Sequence, residues 1–311
     1  MIVFGTLLWI DEKNHSAPNN KNKTIASYFR QINLLAKTLR LTEAVDLHVF
    51  TNSPEKIAFW FASKKQRPPV LVQIHSDLVI PDGTAFYSAH HKLDALRAAS
   101  QLLSNEADRF VLLDTDVVAL NGLTLAQKEL LNSSDLVVYD ISDQVFPAYG
   151  QDVIARDLNR IANAVLNNAR WFGGEFIAGS RSALRKLVHQ CDECLPRYFS
   201  ALPELHHKGD EMFVSAALNI LREKTKLKIV IQNPFKLISR HWSRFSAPPL
   251  TEHAKHAFVH CPGSKMALEF LSLWPSPKKE AIFYTLSFYQ RLVLTYQTGK
   301  RARAYLKRLF S

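Results

Sequence analysis

Short apolar runs alternate with segments of helical period through the first third of the chain, and that alternation limits the fold more than any other feature. Residues 2–8 form a continuous apolar run, as expected of a strand buried on both faces. In residues 24–40, TIASYFRQINLLAKTLR, the apolar residues Ile25, Tyr28, Phe29, Ile32, Leu35 and Leu39 recur at helical spacing, and Thr24 or a neighbour could cap the start. DLHVFTN (46–52) predicts a strand, SPEKIAFWFASKK (53–65) a helix with proline in its first turn, and PVLVQIH (69–75) a strand. FYSAHHKLDALRAASQLL (86–103) predicts a helix and RFVLLDT (109–115) a strand. Alternating strands and helices imply an α/β fold with a mostly parallel central sheet flanked by helices.

Further along the pattern loosens. Strands are expected at 134–141, 169–180, 228–233 and 256–261, and helices at 182–202 and 210–224. No internal repeat or Gly/Ser linker divides the chain, so a single domain over 1–275 is expected, followed by a C-terminal helical extension over 276–311. Loops 11–23, 143–169 and 234–255 are expected to wall a pocket.

The net charge of +11 favours an anionic partner: nucleic acid, an anionic membrane surface or a phosphorylated small molecule. Three cysteines in 311 residues are no disulfide framework, and a reducing, cytoplasmic setting is expected. MIVFGTLLWI lacks a basic lead-in and a cleavage site and reads as a first core strand. HQCDEC (189–194) puts Cys191 and Cys194 one helical turn apart. A zinc site would need further ligands such as His189, His206 or His207, and packing cysteines are the favoured reading beside Leu184, Leu187, Val188 and Leu195.

The apolar run at 109–113 leads straight into Asp114 and Asp116 at the carboxyl end of a central strand, the edge where open α/β sheets bind ligands. On a strand, residues i and i+2 share a face, roughly 6–7 Å apart at their Cα atoms. Two carboxylates so placed repel unless a cation sits with them, and oxygen donors suit Mg²⁺ or Mn²⁺. The alternative is a solvated strand end with one carboxylate capping a turn. Glu175, within the apolar GGEFIAGS, needs a partner; it is either a substrate-pocket residue or half of a structural ion pair. Asp210 and Glu211 open a helix, where acids meet the helix dipole favourably.

FVLLDTDVVAL resembles the DxD strand of GT-A fold (Rossmann-like) glycosyltransferases, and other pieces follow in the order found in family 8 and its relatives. HHKLDALRAA precedes the DxD strand; WFGGEFIAGS, GDEMFVSAAL and VHCPGSK come after it. Three details differ from family 8: Lys265 follows His260 by five residues rather than six, no Pro-Trp follows that lysine, and GGEF stands where Asn-x-Gly is common. The resemblance implies a metal-dependent transferase moving a hexose from a nucleotide-sugar, a UDP-sugar among the candidates, with retention. It implies Asp114, Asp116 and His260 at the metal, Asp114 also near the donor ribose, and Lys265 on the diphosphate. Gly5, Thr6 and Leu7 would border the base, and Lys92 would contact the donor or else lie on a solvated face. Glu175, Asp210 and Glu211 are the candidate catalytic residues. An imidazole ligand tilts the choice toward Mn²⁺ over Mg²⁺.

A haloacid-dehalogenase-type phosphohydrolase also carries Asp-x-Asp at a strand end. There a threonine normally follows two residues after the second aspartate, where this chain has Val118. A basic nucleic-acid-binding protein is a third reading, but no recognised motif supports it, so no nucleic-acid partner is expected. The tail, EAIFYTLSFYQRLVLTY (280–296) followed by KRARAYLKRLFS (300–311), suits either an amphipathic helix on an anionic membrane surface or a protein contact. Peripheral attachment to the inner face of a membrane would suit an enzyme that extends a glycan or lipid-linked acceptor, such as a lipopolysaccharide or capsule precursor.

Overall fold

The computed structural model describes residues 1–11, 24–242 and 249–309, the last twelve of them as backbone only. Most of the expected loop 11–23, residues 243–248 of the loop 234–255, and the side chains of the basic tail lie outside the described residues. The α/β expectation holds. The first third forms β1 (Ile2–Leu8), α1 (Ile25–Thr42), β2 (His48–Thr51), α2 (Pro54–Ser63), β3 (Val70–Gln73), α3 (Lys92–Leu102) and β4 (Arg109–Leu113). A tight helical turn over Tyr87–His91 leads into α3. Thr24 has extended backbone angles at the head of α1, but its side chain makes no capping bond.

Next come β5 (Val117–Ala119), α4 (Leu125–Ser133), β6 (Leu136–Asp140), α5 (Ser142–Tyr149), α6 (Gln151–Ala162), β7 (Phe172–Gly179), α7 (Arg181–Ala201) and α8 (Asp210–Lys224). The chain finishes with β8 (Ile229–Ile231), β9 (Ile238–Arg240), α9 (Leu250–His253), β10 (Phe258–His260), α10 (Lys265–Leu271) and α11 (Lys279–Leu309). The segment 143–169, expected as a loop, is mostly the two helices α5 and α6. Ile154, Leu158 and Ile161 are buried along α6 at helical spacing, a signal already present in the sequence.

Seven strands form the main sheet in the order β3-β2-β1-β4-β7-β6-β8, and β7 alone among them runs against the rest. The path from β1 through β2 to β3 moves one way across the sheet, and β4 then returns to the other side of β1. Right-handed crossovers therefore put α1 and α2 on one face and α3 on the other. The order reverses between β1 and β4, so a crevice opens beyond their carboxyl ends.

A smaller sheet, β5-β10-β9, lies beside the main one. Val118, Leu120 and Val259 from it join Leu34 of α1, Leu268 and Leu271 of α10, and Ile282 and Leu286 of α11 in a second apolar core. The strand expected over 109–115 ends at Leu113: the chain turns at Asp114–Asp116 and enters a different sheet as β5, a strand not foreseen in the sequence.

Two imidazoles are buried in this smaller unit, His241 and His253, the latter bonded through Nδ1 to Ser239 Oγ at 2.8 Å. Burial pushes each down to about 4, from 6.5 in an unperturbed imidazole. The unfolded chain takes up these protons near pH 6.5 and the folded chain only near pH 4. Stability is therefore whole above pH 6.5 and falls as pH drops through that window, by on the order of 2 kcal/mol for each imidazole. Chemical denaturation at pH 7 and at pH 4.5 should show the loss, and His253→Phe should make it smaller.

Candidate metal centre

The crevice between β1 and β4 is a cleft of about 300 Å³. Its walls include Leu7, Trp9, Tyr28 and Phe86, and its floor carries Lys92, Asp114, Asp116, Asp210, Glu211 and His260. Arg240 and Lys265 complete it. Phe86 sits in the left-handed backbone region at φ 58°, uncommon for a bulky residue and consistent with a shaped wall.

Asp114 and Asp116 occupy the turn between the two sheets, closed by Val117 N–H donating to Asp114 O at 3.2 Å. His260 arrives at the end of β10, which pairs with β5 so that His260 stands opposite Val117. Cys261 N–H donates to Asp116 O at 2.9 Å and ties the two segments together. His260 Nε2 lies 3.0 Å from Asp116 Oδ1 and 3.9 Å from Asp114 Oδ2. One candidate ligand atom from each of the three residues falls within 4.8 Å of the other two. His260 Nδ1 is 3.2 Å from Glu175 Oε1, so a carboxylate orients the ring from behind, the arrangement common for ligating histidines.

Around this triad runs a network of buried charge. Lys92 Nζ bonds Asp114 Oδ1 at 2.8 Å, Asp210 Oδ2 at 3.0 Å and the Gly174 carbonyl at 3.0 Å. Arg240 donates to Glu175 through Nε at 2.7 Å and Nη2 at 2.6 Å, and through Nη2 to Glu211 at 2.8 Å. Glu211 also accepts from Trp171 Nε1 at 2.9 Å and Gly174 N–H at 3.2 Å. Lys265 Nζ stands 3.4 Å from Asp116 Oδ2 and 5.5 Å from the centre of the Tyr28 ring.

The glycine pair of β7 makes room for this network. A Cβ on Gly173 would collide with the Glu175 carboxylate, and one on Gly174 would come within 2.7 Å of Asp210 Oδ2 and 3.0 Å of Lys92 Nζ. This is the physical reason for GGEF in this chain.

Protonation follows from burial against charge. Burial pulls the His260 imidazole down, yet Asp116 and Glu175 outweigh it and push it up to about 9. Burial would raise Asp116, but Lys265 and His260 hold it well below the usual carboxylate range. For Glu175 the same burial is outweighed by Arg240 and His260. Asp114 differs: burial raises it, and Lys92 and His260 only partly counter. Protonated, His260 fills the gap between two aspartates, and to ligate a cation it would give up its Nε2 proton. Five carboxylates face four basic groups here, His260 included. That excess of negative charge, with two carboxylates and an imidazole converging, fits a divalent cation.

Eight of the sequence-predicted site residues gather here: Lys92, Asp114, Asp116, Glu175, Asp210, Glu211, His260 and Lys265. Four placements need correcting. Glu175 is fully buried and does not reach the cleft, because mid-β7 faces Arg240; it is the structural ion pair, not a group that meets substrate. Lys92 is not on a solvated face: it is buried at the cleft floor, paired with Asp114 and Asp210 and donating to the Gly174 carbonyl. Gly5 is wedged where a Cβ would meet the Phe110 ring at 2.6 Å, and Thr6 is fully buried. Of the three β1 residues only Leu7 lines the cleft, followed by Leu8 to Asp11.

Arg240 is the main residue the sequence reading missed. The signal was a lone arginine two residues after the apolar pair Leu237 and Ile238. Cys191 and Cys194 are buried among the apolar residues of α7, and burial raises both thiols, as packing cysteines require. Among the described residues no other cluster of potential metal ligands occurs, and no helix is long and apolar enough to cross a membrane. No protein-family model matches the chain, and no curated protein matches it.

Proposed function

We propose that the cleft binds a nucleotide-sugar through a divalent cation held by Asp114, Asp116 and His260, and that the protein is a glycosyltransferase of the GT-A type. The observation that carries this reading is the convergence of those three side chains at the mouth of a switch-point crevice, with Lys265 beside them. The imidazole nitrogen among the ligands favours Mn²⁺ over Mg²⁺.

Transfer breaks the bond from the anomeric carbon to a diphosphate oxygen and forms one to an acceptor hydroxyl oxygen. The electron pair leaves with the diphosphate, and the hydroxyl gives up its proton. The cation, when bound, supplies Lewis-acid stabilisation of the charge that builds on the diphosphate. Lys265 adds a second positive charge at the lip, supported by the Tyr28 ring. Glu211, fixed by three donors and held ionised against its burial chiefly by Arg240, offers a set negative charge to the sugar as it turns cationic. Asp210 stands beside it, positioned by Lys92. The Trp9 ring, stacked on His91 with centroids 3.6 Å apart and planes 15° from parallel, is a preset plate for the base. Resemblance to family 8 leans toward retention at the anomeric carbon.

The phosphohydrolase alternative needs a hydroxyl two residues after Asp116. Val118 occupies that position and is buried in the second core.

The test is a thermal-shift panel of UDP-, GDP- and CMP-sugars with and without Mn²⁺. One donor class should raise the melting temperature by several degrees only when Mn²⁺ is present, as about 2.7 kcal/mol of linkage at a hundredfold excess over Kd implies. No metal-dependent shift with any donor would end the proposal.

A further inference from the structure

The C-terminal helix presents a second surface, away from the cleft. α11 buries Ile282 and Leu286 in the second core. On its outer side Tyr284, Phe288, Leu292 and Tyr296 recur every fourth residue, at 75%, 55%, 52% and 66% exposure. On the neighbouring α10 and just beyond it, Phe270 and Trp274 are also exposed, at 53% and 39%. A run of exposed aromatic and aliphatic side chains of this kind along one helix marks an interaction site.

Charge identifies the partner. From Ala281 to Ser311 the sequence contains no Asp or Glu, and Arg291, Lys300, Arg301, Arg303, Lys307 and Arg308 are all basic. The helix continues through this basic stretch to Leu309. A second copy docked face to face would set this run of positive charge against its own duplicate. A surface of lipid phosphates would neutralise it. Tyrosine and tryptophan, apolar in body and polar at the tip, suit the headgroup boundary.

We propose that the face built by α10 and α11 lies on the surface of an anionic phospholipid bilayer, with the aromatic stripe in the headgroup boundary and the basic end of α11 along the phosphates. α10 begins at Lys265 in the cleft and is seven residues long. The far end of α10, with Phe270, therefore stands about 10 Å along the helix from the cleft residue Lys265. This attachment is independent of the sugar-transfer reading, and it is measured without donor or metal.

The full chain would be sedimented with vesicles of phosphatidylcholine alone and with vesicles containing about one-third phosphatidylglycerol, each at low and high salt. Retention is expected on the anionic vesicles and should fall as salt rises. Phe288→Asp combined with Leu292→Asp should weaken binding about tenfold or more, with circular dichroism unchanged. Arg301→Glu with Arg303→Glu, which leaves the apolar stripe intact, should weaken it as well. Equal retention on both vesicle types, or wild-type binding by both variants, would overturn the proposal. So would a wild-type dimer in light scattering that Phe288→Asp breaks, with no vesicle binding.

Discussion

Asp116→Ala is expected to abolish the Mn²⁺-dependent binding of donor and to lower the turnover of sugar transfer by about a thousandfold or more. Asp116 touches both His260 and Lys265, and those two cations keep it ionised despite its burial. Alanine removes the only carboxylate within 3.5 Å of His260 Nε2, since Asp114 stands 3.9 Å away. Among the described residues the ring then has no carboxylate on its cleft side closer than that. Titration calorimetry with Mn²⁺ alone separates the loss of the cation from the loss of the donor. Asp116→Asn keeps the shape and removes the charge, so it should fail in the same way while remaining folded. Mn²⁺ binding undiminished in both variants would place the cation elsewhere and remove the basis for the proposed chemistry.

Arg240→Met is expected to destabilise the protein by about 3–5 kcal/mol. The cause lies in what stays behind. Glu175 is fully buried, and it would lose both guanidinium bonds while keeping only His260 as a partner. Glu211 would lose its tie to the same guanidinium and keep Trp171 and Gly174. Removing the stranded charge should recover part of the loss, so Arg240→Met with Glu175→Gln should be more stable than Arg240→Met alone. Urea denaturation of the two single variants and the double variant measures the coupling. Strictly additive effects would mean that the pair acts independently, contrary to the bidentate geometry.

The sequence made the main sheet readable because each early strand is an apolar run and each early helix shows its stripe. Six of the seven early elements appear within two or three residues of expectation, and α3 starts six residues late because a tight helical turn over Tyr87–His91 precedes it. The acidic pair was legible for the same reason: nothing apolar explains Asp114 and Asp116 after Leu113. Its geometry was not. Period-two alternation says that VVAL is extended but not which neighbour it pairs with, so the passage into a second sheet stayed hidden. Arg240 was hidden because β9 is only three residues long and offers too few positions for a pattern. Glu175 was recognised as a carboxylate in need of a partner, and only the packed structure shows that the partner lies inside rather than in the cleft. His260 and Lys265 stood out through family resemblance; spacing alone would have left them as an ordinary strand-end histidine and a surface lysine.

The seam between the two sheets has a consequence for how the protein comes into being. A ribosome delivers Asp114 and Asp116 long before it delivers His260, and β5 has no strand to pair with until β10 emerges. Over the 144 residues between Asp116 and His260 the nascent chain carries an acidic turn without the imidazole that is to sit against it. The three-residue candidate metal centre is therefore complete only once β10 has emerged, and a chain released before it would lack that centre however well its main sheet had formed.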